Sequence, residues 1–103
     1  MNNKLLKKKL NIKEYSIFFI FHEISNKSNE FDSINYERFY YFLSLLEFSQ
    51  KVSGRKICLT LDDGYKSDIE VALPLSFKFN LSFISFISTS NIGKPGFLSR
   101  DDL

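Results

Sequence analysis

The sequence predicts a small α/β protein with a parallel sheet, because strand-like and helix-like segments alternate along it. Three short apolar runs have strand character, at residues 15–21, 57–61 and 82–88. A segment with helical character separates each run from the next. The order strand, helix, strand, helix, strand builds parallel β/α units. A chain of 103 residues, 44% of them hydrophobic, suits one such domain.

The first predicted strand and helix occupy the N-terminal half. Residues 15–21 are rich in aromatic and β-branched side chains, which favour a strand. Over residues 35–50, apolar side chains recur at i, i+3, i+4 and i+7 with one flanking apolar residue, which predicts an amphipathic helix; they are Phe39, Phe42, Leu43, Leu46 and Phe48. Asn35 or Ser33 is expected to cap the start of this helix, and Gly54 to end the connection after it.

The C-terminal half predicts an interrupted helix and a third strand. Ser67 or Asp68 is expected to cap a helix that runs toward Lys78. Pro74 lies inside this helix, and proline lacks an amide donor and clashes with the preceding turn, so we expect a kink or a new start there. Alternation of serine and apolar residues over 82–88 then predicts a strand.

The most informative stretch is Ile57-Cys58-Leu59-Thr60-Leu61-Asp62-Asp63-Gly64-Tyr65. Here a short apolar run delivers two adjacent carboxylates to its own end, where paired acids can bind a metal or move a proton. Successive side chains leave a strand on opposite sides, so Asp62 and Asp63 need not share one role. Gly64 allows the backbone to turn sharply beside them. The alternative is a pair of solvated turn or capping acids.

Residues 1–14 are predicted to be a basic tail. Residues 1–13 carry five lysines and no acid, whereas the rest of the chain has nine Lys and Arg against twelve Asp and Glu. We expect a solvated tail rather than one that binds nucleic acid or a membrane surface. The apolar run that follows is shorter than a signal-peptide core, and no run reaches the length of a membrane span. The default expectation is a cytoplasmic location.

The chain has one cysteine and one histidine. Cys58 permits no internal disulfide and is expected to be a small buried hydrophobe. His22 follows the first predicted strand, from where it can approach the acid pair. A lone histidine beside an apolar run is more often structural, half buried and hydrogen-bonded, and this alternative stays open.

The last segment is rich in turn formers. Lys94-Pro95-Gly96 lies on a loop after a strand, where it either edges a substrate cleft or simply forms a turn. Ser99-Arg100-Asp101-Asp102 resembles a helix cap followed by acids in a first turn. The pattern stops at Leu103, so we expect a truncated domain.

Several of these segments, in order, resemble the polysaccharide deacetylase family. Thr60-Leu61-Asp62-Asp63-Gly64 is similar to its first motif, Thr-Phe-Asp-Asp-Gly, with leucine in place of the aromatic residue. Phe21-His22-Glu23-Ile24 is similar to the Tyr-His-x-Ile or Tyr-His-x-Val that opens many members. Ala72-Leu73-Pro74 and residues 86–99 resemble the corresponding helix and strand-loop segments. The similarity spans nearly all of the chain after residue 15.

This resemblance implies a partial (β/α) barrel of the polysaccharide deacetylase type over residues 15–103, containing about the first three parallel β-strands and their helices. It also implies a metal-dependent hydrolase that removes N-acetyl groups from amino-sugar polymers. In that case Asp62 is the general base and Asp63 a ligand of a divalent metal, commonly zinc. The backbone N–H of Tyr65 assists as an oxyanion donor, and His22 is a further candidate in the same pocket.

The resemblance does not extend to the rest of the family's metal site. Its second motif, His-Ser or His-Thr followed three residues later by another histidine, has no counterpart, because His22 lies upstream of the acid pair. A catalytic zinc site has about three protein ligands, and a complete barrel needs roughly 200 residues. We therefore expect an N-terminal fragment that hydrolyses little or no N-acetylated polysaccharide or oligosaccharide as an isolated chain.

Two alternatives compete with this interpretation. The first is a noncatalytic interaction fragment, whose open sheet edge is completed by a C-terminal remainder of the barrel or by self-association. The second is a phosphoryl-transfer domain that uses Asp62 and Asp63 around magnesium. It ranks below the others because the sequence has no Asp-x-Asp spacing at the pair and no downstream acceptor aspartate with a partner lysine.

Overall fold

The computed structural model describes residues 15–26 and 33–103, which form a three-stranded parallel sheet and two helices. The elements are β1 (Tyr15–Phe21), β2 (Glu23–Ile24), β3 (Ser33–Ile34), α1 (Tyr36–Ser53), β4 (Lys56–Asp62), α2 (Leu73–Lys78) and β5 (Ser82–Phe86). A π-helical turn over Asp68–Ala72 leads into α2, and 3₁₀ turns occupy Thr89–Asn91 and Arg100–Asp102. The predicted mixed α/β class is confirmed. The predicted tail at 1–14 lies outside the described residues.

The sheet has the order β1-β4-β5, with β4 in the centre and both pairings parallel. Phe19 of β1, Leu59 of β4 and Phe83 of β5 lie in one row. The short strands β2 and β3 form a separate parallel pair. The three predicted strands are therefore present, although β5 ends at Phe86, because the chain turns at Thr89–Asn91.

Helix α1 begins and ends with recognisable caps. The Asn35 side chain accepts a hydrogen bond from Arg38 N at 2.8 Å, which satisfies one amide of the first turn. At the other end Gly54 has φ 71° and its N–H donates to the Gln50 carbonyl, as glycine does when a left-handed residue closes a helix. The prediction of Asn35 as one of two possible caps is thus confirmed.

The second helix starts in two steps, as Pro74 led us to expect. The π-helical turn gives way to α2 one residue before Pro74, so the proline lies in the first turn of α2, where its missing N–H costs least. Ser67, one of the two expected cap residues, occupies the N-cap position of the π-helical turn. Its side chain makes no cap bond, however, and its Oγ instead accepts from Ile24 N at 3.1 Å. Asp68 is buried, so both polar side chains serve tertiary contacts.

Both helices pack on the same face of the sheet. Alternate residues of β4 point into a core shared with α1 and α2; its buried members include Phe39, Leu43, Leu46, Ile57, Leu59, Leu61, Leu75 and Phe79. Edge-to-face ring contacts attach β1 to α1, with 5.2 Å between the centroids of Phe21 and Phe39 and 5.3 Å between those of Phe19 and Phe42. Phe48, which the helical pattern counted as a flanking apolar residue, is 67% exposed.

The opposite sheet face has a buried centre and exposed apolar flanks. Cys58 and Thr60 of β4 are buried, whereas Ile20 of β1 is 67% exposed and Phe86 of β5 is 54% exposed. The expectation for Cys58 is confirmed, and burial raises the pKa of its thiol. In the described part of the chain, no helix combines the length and the hydropathy that a membrane span requires.

Candidate functional site

The acid pair lies where β4 leaves the sheet through two left-handed residues. Asp63 has φ 82° and Gly64 has φ 77°. Aspartate tolerates this region better than most residues, at a cost that other contacts must offset. Glycine is needed at the second position, because a Cβ there would lie 3.0 Å from Ile87 Cγ2. This turn separates the Asp63 side chain from the strand that ends with Asp62.

The structure brings His22 next to Asp63. Nδ1 of His22 lies 3.3 Å from Oδ2 of Asp63, across 41 residues of sequence. The pairing of Phe21 with Leu61 places the residues that follow β1 beside those that end β4. The two side chains are 38% and 44% exposed, so both remain open to a ligand.

In this contact His22 is the hydrogen-bond donor and Asp63 is the acceptor. An ionised carboxylate accepts hydrogen bonds only, so Nδ1 of His22 must carry the proton that it shares with Asp63. In a neutral imidazole the lone pair then lies on Nε2. A carboxylate that holds one ring nitrogen in this way fixes the orientation of the other for a proton or a metal.

Residues 91–98 pack over the acid turn. Leu98 N donates to Gly64 O at 2.8 Å, and Lys66 N donates to Gly96 O at 3.0 Å. The rings of Tyr65 and Phe97 stack with their centroids 4.6 Å apart. Asn91 also contributes, since its Nδ2 lies 3.4 Å from the Asp63 carbonyl oxygen. These contacts fix the turn that presents the acids, while the Tyr65 N–H as oxyanion donor and Lys94-Pro95-Gly96 as a cleft edge stay predictions.

Asp68 is a member of this region that sequence reasoning assigned only as a helix cap. Its side chain is 1% exposed. Oδ2 accepts from Ser85 Oγ at 2.5 Å, and Oδ1 has no hydrogen-bond partner among the described residues. Burial raises the pKa of this carboxyl to about 6, the Ser85 hydrogen bond opposes the rise, and the nearby charges of Asp63 and Asp62 add to it. Asp68 precedes Ala72 by four residues and Leu75 by seven, a helical spacing that marks an inward face.

The described side chains do not form a complete metal centre. No group of three or more His, Cys, Asp and Glu residues within 15–26 and 33–103 is arranged to hold a metal ion. Nδ1 of His22 donates its proton to Asp63, so the free Nε2 faces away from that carboxylate and the two side chains do not converge on one ion. Catalytic zinc takes about three protein ligands. A metal at this turn therefore needs further ligands.

Comparison of the chain with protein-family models, with curated proteins and with solved structures found no match. The fold and the site define the class of protein only as a mixed α/β chain with an acid pair at the end of its central parallel strand.

Proposed function

We propose that this chain is the N-terminal part of a metal-dependent polysaccharide deacetylase domain, which is inactive as an isolated chain. The enzyme as a whole hydrolyses N-acetyl groups of amino-sugar polymers. The observation that carries the proposal is the contact between His22 and Asp63 beside Asp62. Two segments that resemble separate family motifs, 41 residues apart, meet at one edge of the sheet.

The winding of the sheet is compatible with a partial barrel. Each strand of the series β1, β4, β5 is added on the same side of the one before it, and both connecting helices bury the same sheet face. A (β/α) barrel carries its helices on one face, and so does each half of a doubly wound sheet. The acid pair lies at the carboxyl end of a strand, where barrel enzymes build their sites.

The proposed roles follow from the chemistry of amide hydrolysis. Asp62, at the end of β4, removes the proton of the attacking water, which is the role that the family resemblance gives to the first acid of the pair. Asp63 is the metal ligand that this chain supplies, and Nδ1 of His22 donates a hydrogen bond to it. A divalent metal, zinc by resemblance, polarises the acetyl carbonyl and acidifies water when its ligand set is complete.

The test measures acetate release from N-acetylglucosamine oligomers by the purified full chain with added zinc. We expect no release above the protein-free blank, because one carboxylate ligand does not make a catalytic zinc site. Zinc-dependent release that disappears in Asp62→Asn would overturn the proposed inactivity and keep the family assignment.

A second measurement tests the half-site itself. Titration with zinc alone, followed through the NMR signals of the His22 ring, should shift those signals in the wild type and in the surface variant Asp101→Asn. Asp63→Asn should weaken the response about tenfold or more, because it removes the charged ligand beside the ring. A ring that does not respond to zinc, or an undiminished response in Asp63→Asn, argues against the proposed metal site at Asp63.

The exposed sheet face favours a second candidate, a noncatalytic fragment that completes its fold with another chain. Ile20 and Phe86 lie on the face opposite the helices and are more than half exposed. Edge strands with exposed apolar side chains invite pairing with a further strand. A well-folded chain that stays monomeric at high micromolar concentration would contradict self-association as the way in which this face is covered.

A further inference from the structure

The row of the sheet that contains Asp62 also contains an exposed phenylalanine. Asp62 ends β4 and pairs in register with Phe86, the last residue of β5. Partners in one row of a parallel sheet point to the same face, which here is the face opposite the helices. Phe86 is 54% exposed and Asp62 is partly exposed. A carboxylate and an open aromatic ring therefore lie side by side at the carboxyl end of the sheet.

The neighbours of this row are both polar and apolar. On the β1 side, His22 is 38% exposed, and its Nδ1 is bonded to Asp63, which leaves Nε2 of the neutral ring as an acceptor. Ile20 pairs with Thr60, one row below Asp62 on the same face, and is 67% exposed. The end of the sheet thus offers hydrogen-bonding groups next to exposed apolar side chains.

Whatever covers Phe86 must also suit a carboxylate. A strand or helix that packed on Phe86 would bury part of Asp62 as well, and a buried carboxylate without hydrogen-bond partners is strongly destabilising. A ligand with an apolar face and a polar rim avoids this cost, because its face covers the ring while its rim donates hydrogen bonds to Asp62. The row therefore favours an amphipathic ligand over a purely apolar partner.

Charge limits the class of that ligand. Nucleotide bases stack on aromatic rings, but their phosphates would be repelled by the adjacent carboxylates of Asp62 and Asp63. A pyranose ring of an N-acetylated amino sugar is neutral. It has C–H groups on its face and hydroxyl and amide groups at its rim, which matches the ring of Phe86 and the carboxylate beside it.

We propose that the Phe86 ring is the stacking surface for one pyranose unit of an N-acetylated polymer, whose rim is hydrogen-bonded to Asp62. This inference rests on the proposed function and adds a residue that positions the sugar at the acid pair. The unit whose acetyl group is attacked then lies over the end of β4, between Phe86 and His22. Because the contact uses a flat aromatic face, another aromatic side chain preserves it and an aliphatic one does not.

The first experiment titrates the full chain with the N-acetylglucosamine tetramer, in the presence of a chelator, and follows the NMR signals of the Phe86 ring and of the Asp62 amide. We expect both to shift, with a dissociation constant in the millimolar range, because a single ring of an incomplete site provides little binding energy. Phe86→Tyr should bind like the wild type. Phe86→Ala should bind about tenfold more weakly or worse, as judged by the Asp62 amide.

The control for these variants is Phe77→Ala, since Phe77 is a 50% exposed phenylalanine on α2, away from the acid pair. It should bind the tetramer like the wild type. If Phe86→Ala does not fold, Phe86→Leu keeps the apolar bulk without a flat face and should weaken binding as well. An unshifted Phe86 ring in the wild type, or equal binding by the wild type and the folded Phe86 variant, would overturn the proposal.

The second experiment replaces the sugar by other occupants of the same surface. Adenosine monophosphate, an aromatic but anionic probe, should leave the Phe86 signals unchanged, and a stronger response to it than to the tetramer would make this a nucleotide site. Without any ligand, the ring signals should not change with protein concentration. Broadening at high concentration would show that another chain covers Phe86, and would also contradict the proposal.

The zinc response of the His22 ring separates this inference from the proposed function. A zinc response that weakens in Asp63→Asn, combined with no effect of the tetramer on Phe86, would overturn the stacking alone. A response of Phe86 to the tetramer without a zinc response at His22 would overturn the metal site at Asp63 and keep the stacking.

Discussion

Asp68 shows how a single residue at this site couples charge to stability. Its pKa is about 6 in the folded chain against an ordinary 3.8, chiefly because the carboxyl is buried. The folded chain therefore binds a proton more tightly than the unfolded chain does. Between about pH 4 and about pH 6 the folded state holds more protons, so the free energy of unfolding falls as the pH rises.

We predict that Asp68→Asn removes this pH dependence. Across that pH window the free energy of unfolding of the wild type should fall by at most about 3 kcal/mol, because each unit of pKa shift corresponds to about 1.4 kcal/mol. Above pH 6 the variant should be the more stable protein, because it buries no charge. Urea unfolding at several pH values measures the effect, with the exposed Asp101→Asn as control. Parallel curves for wild type and Asp68→Asn would contradict the prediction.

Gly64 allows a second prediction at the residue scale, because the chain contains a matched control. Gly64 and Gly96 have nearly the same φ, 77° and 82°, but only at Gly64 would a Cβ meet other atoms. Gly96→Ala should lower the free energy of unfolding by about 1–2 kcal/mol, because alanine is strained in the left-handed backbone region. Gly64→Ala should lower the free energy of unfolding by at least about 1 kcal/mol more, because Ile87 is β-branched and cannot easily move aside.

Chemical denaturation of the two glycine variants gives the comparison directly. Equal losses of stability would mean that Ile87 relaxes without cost. In that case the close approach of the acid turn to the residue after β5 would not restrain the site.

At the scale of elements, α1 has one buried apolar face and one exposed apolar face. The predicted helical pattern identified the buried face through Phe39, Leu43 and Leu46. It did not separate the exposed face, which includes Leu45 and Phe48, because both faces repeat at helical spacing. Burial in the structure makes the distinction, since Leu43 is fully buried and Leu45 is 47% exposed.

We predict that two leucines of α1, two positions apart, respond differently to truncation. Leu43→Ala should destabilise the chain by about 2–5 kcal/mol, because it opens a cavity beneath the sheet. Leu45→Ala should change the stability of the monomer by less than about 1 kcal/mol. Thermal unfolding at low micromolar protein concentration measures both variants. A large loss for Leu45→Ala under those conditions would contradict the assignment of Leu45 to the outer face.

At the scale of the whole molecule, the sequence predicts the order of the main elements because each has strong local signals. Apolar runs mark the three strands, and Asn35, Gly54 and Pro74 mark helix ends. Local signals do not predict β2 and β3, since a two-residue strand has no period. They also miss the burial of Asp68 and its bond with Ser85, which depend on how the turn after β4 packs against β5.

The candidate site could likewise be predicted from the sequence only in part. Asp62 and Asp63 were identified because a strand with acids at its end has a distinctive composition. The distance between His22 and Asp63 was not, because it depends on the register of β1 against β4. The side of the sheet on which both helices pack is likewise a property of the assembled chain.

The parallel pairing of β1 with β4 has a consequence for synthesis. Antiparallel neighbours can pair across a short hairpin, but β1 and β4 are separated by all of α1. A growing chain therefore exposes Tyr15–Phe21, a seven-residue run without charge or proline, until β4 has also emerged. Such segments join readily with their own kind in cross-β aggregates. The strand that positions His22 is thus also a segment through which a nascent chain is prone to aggregate.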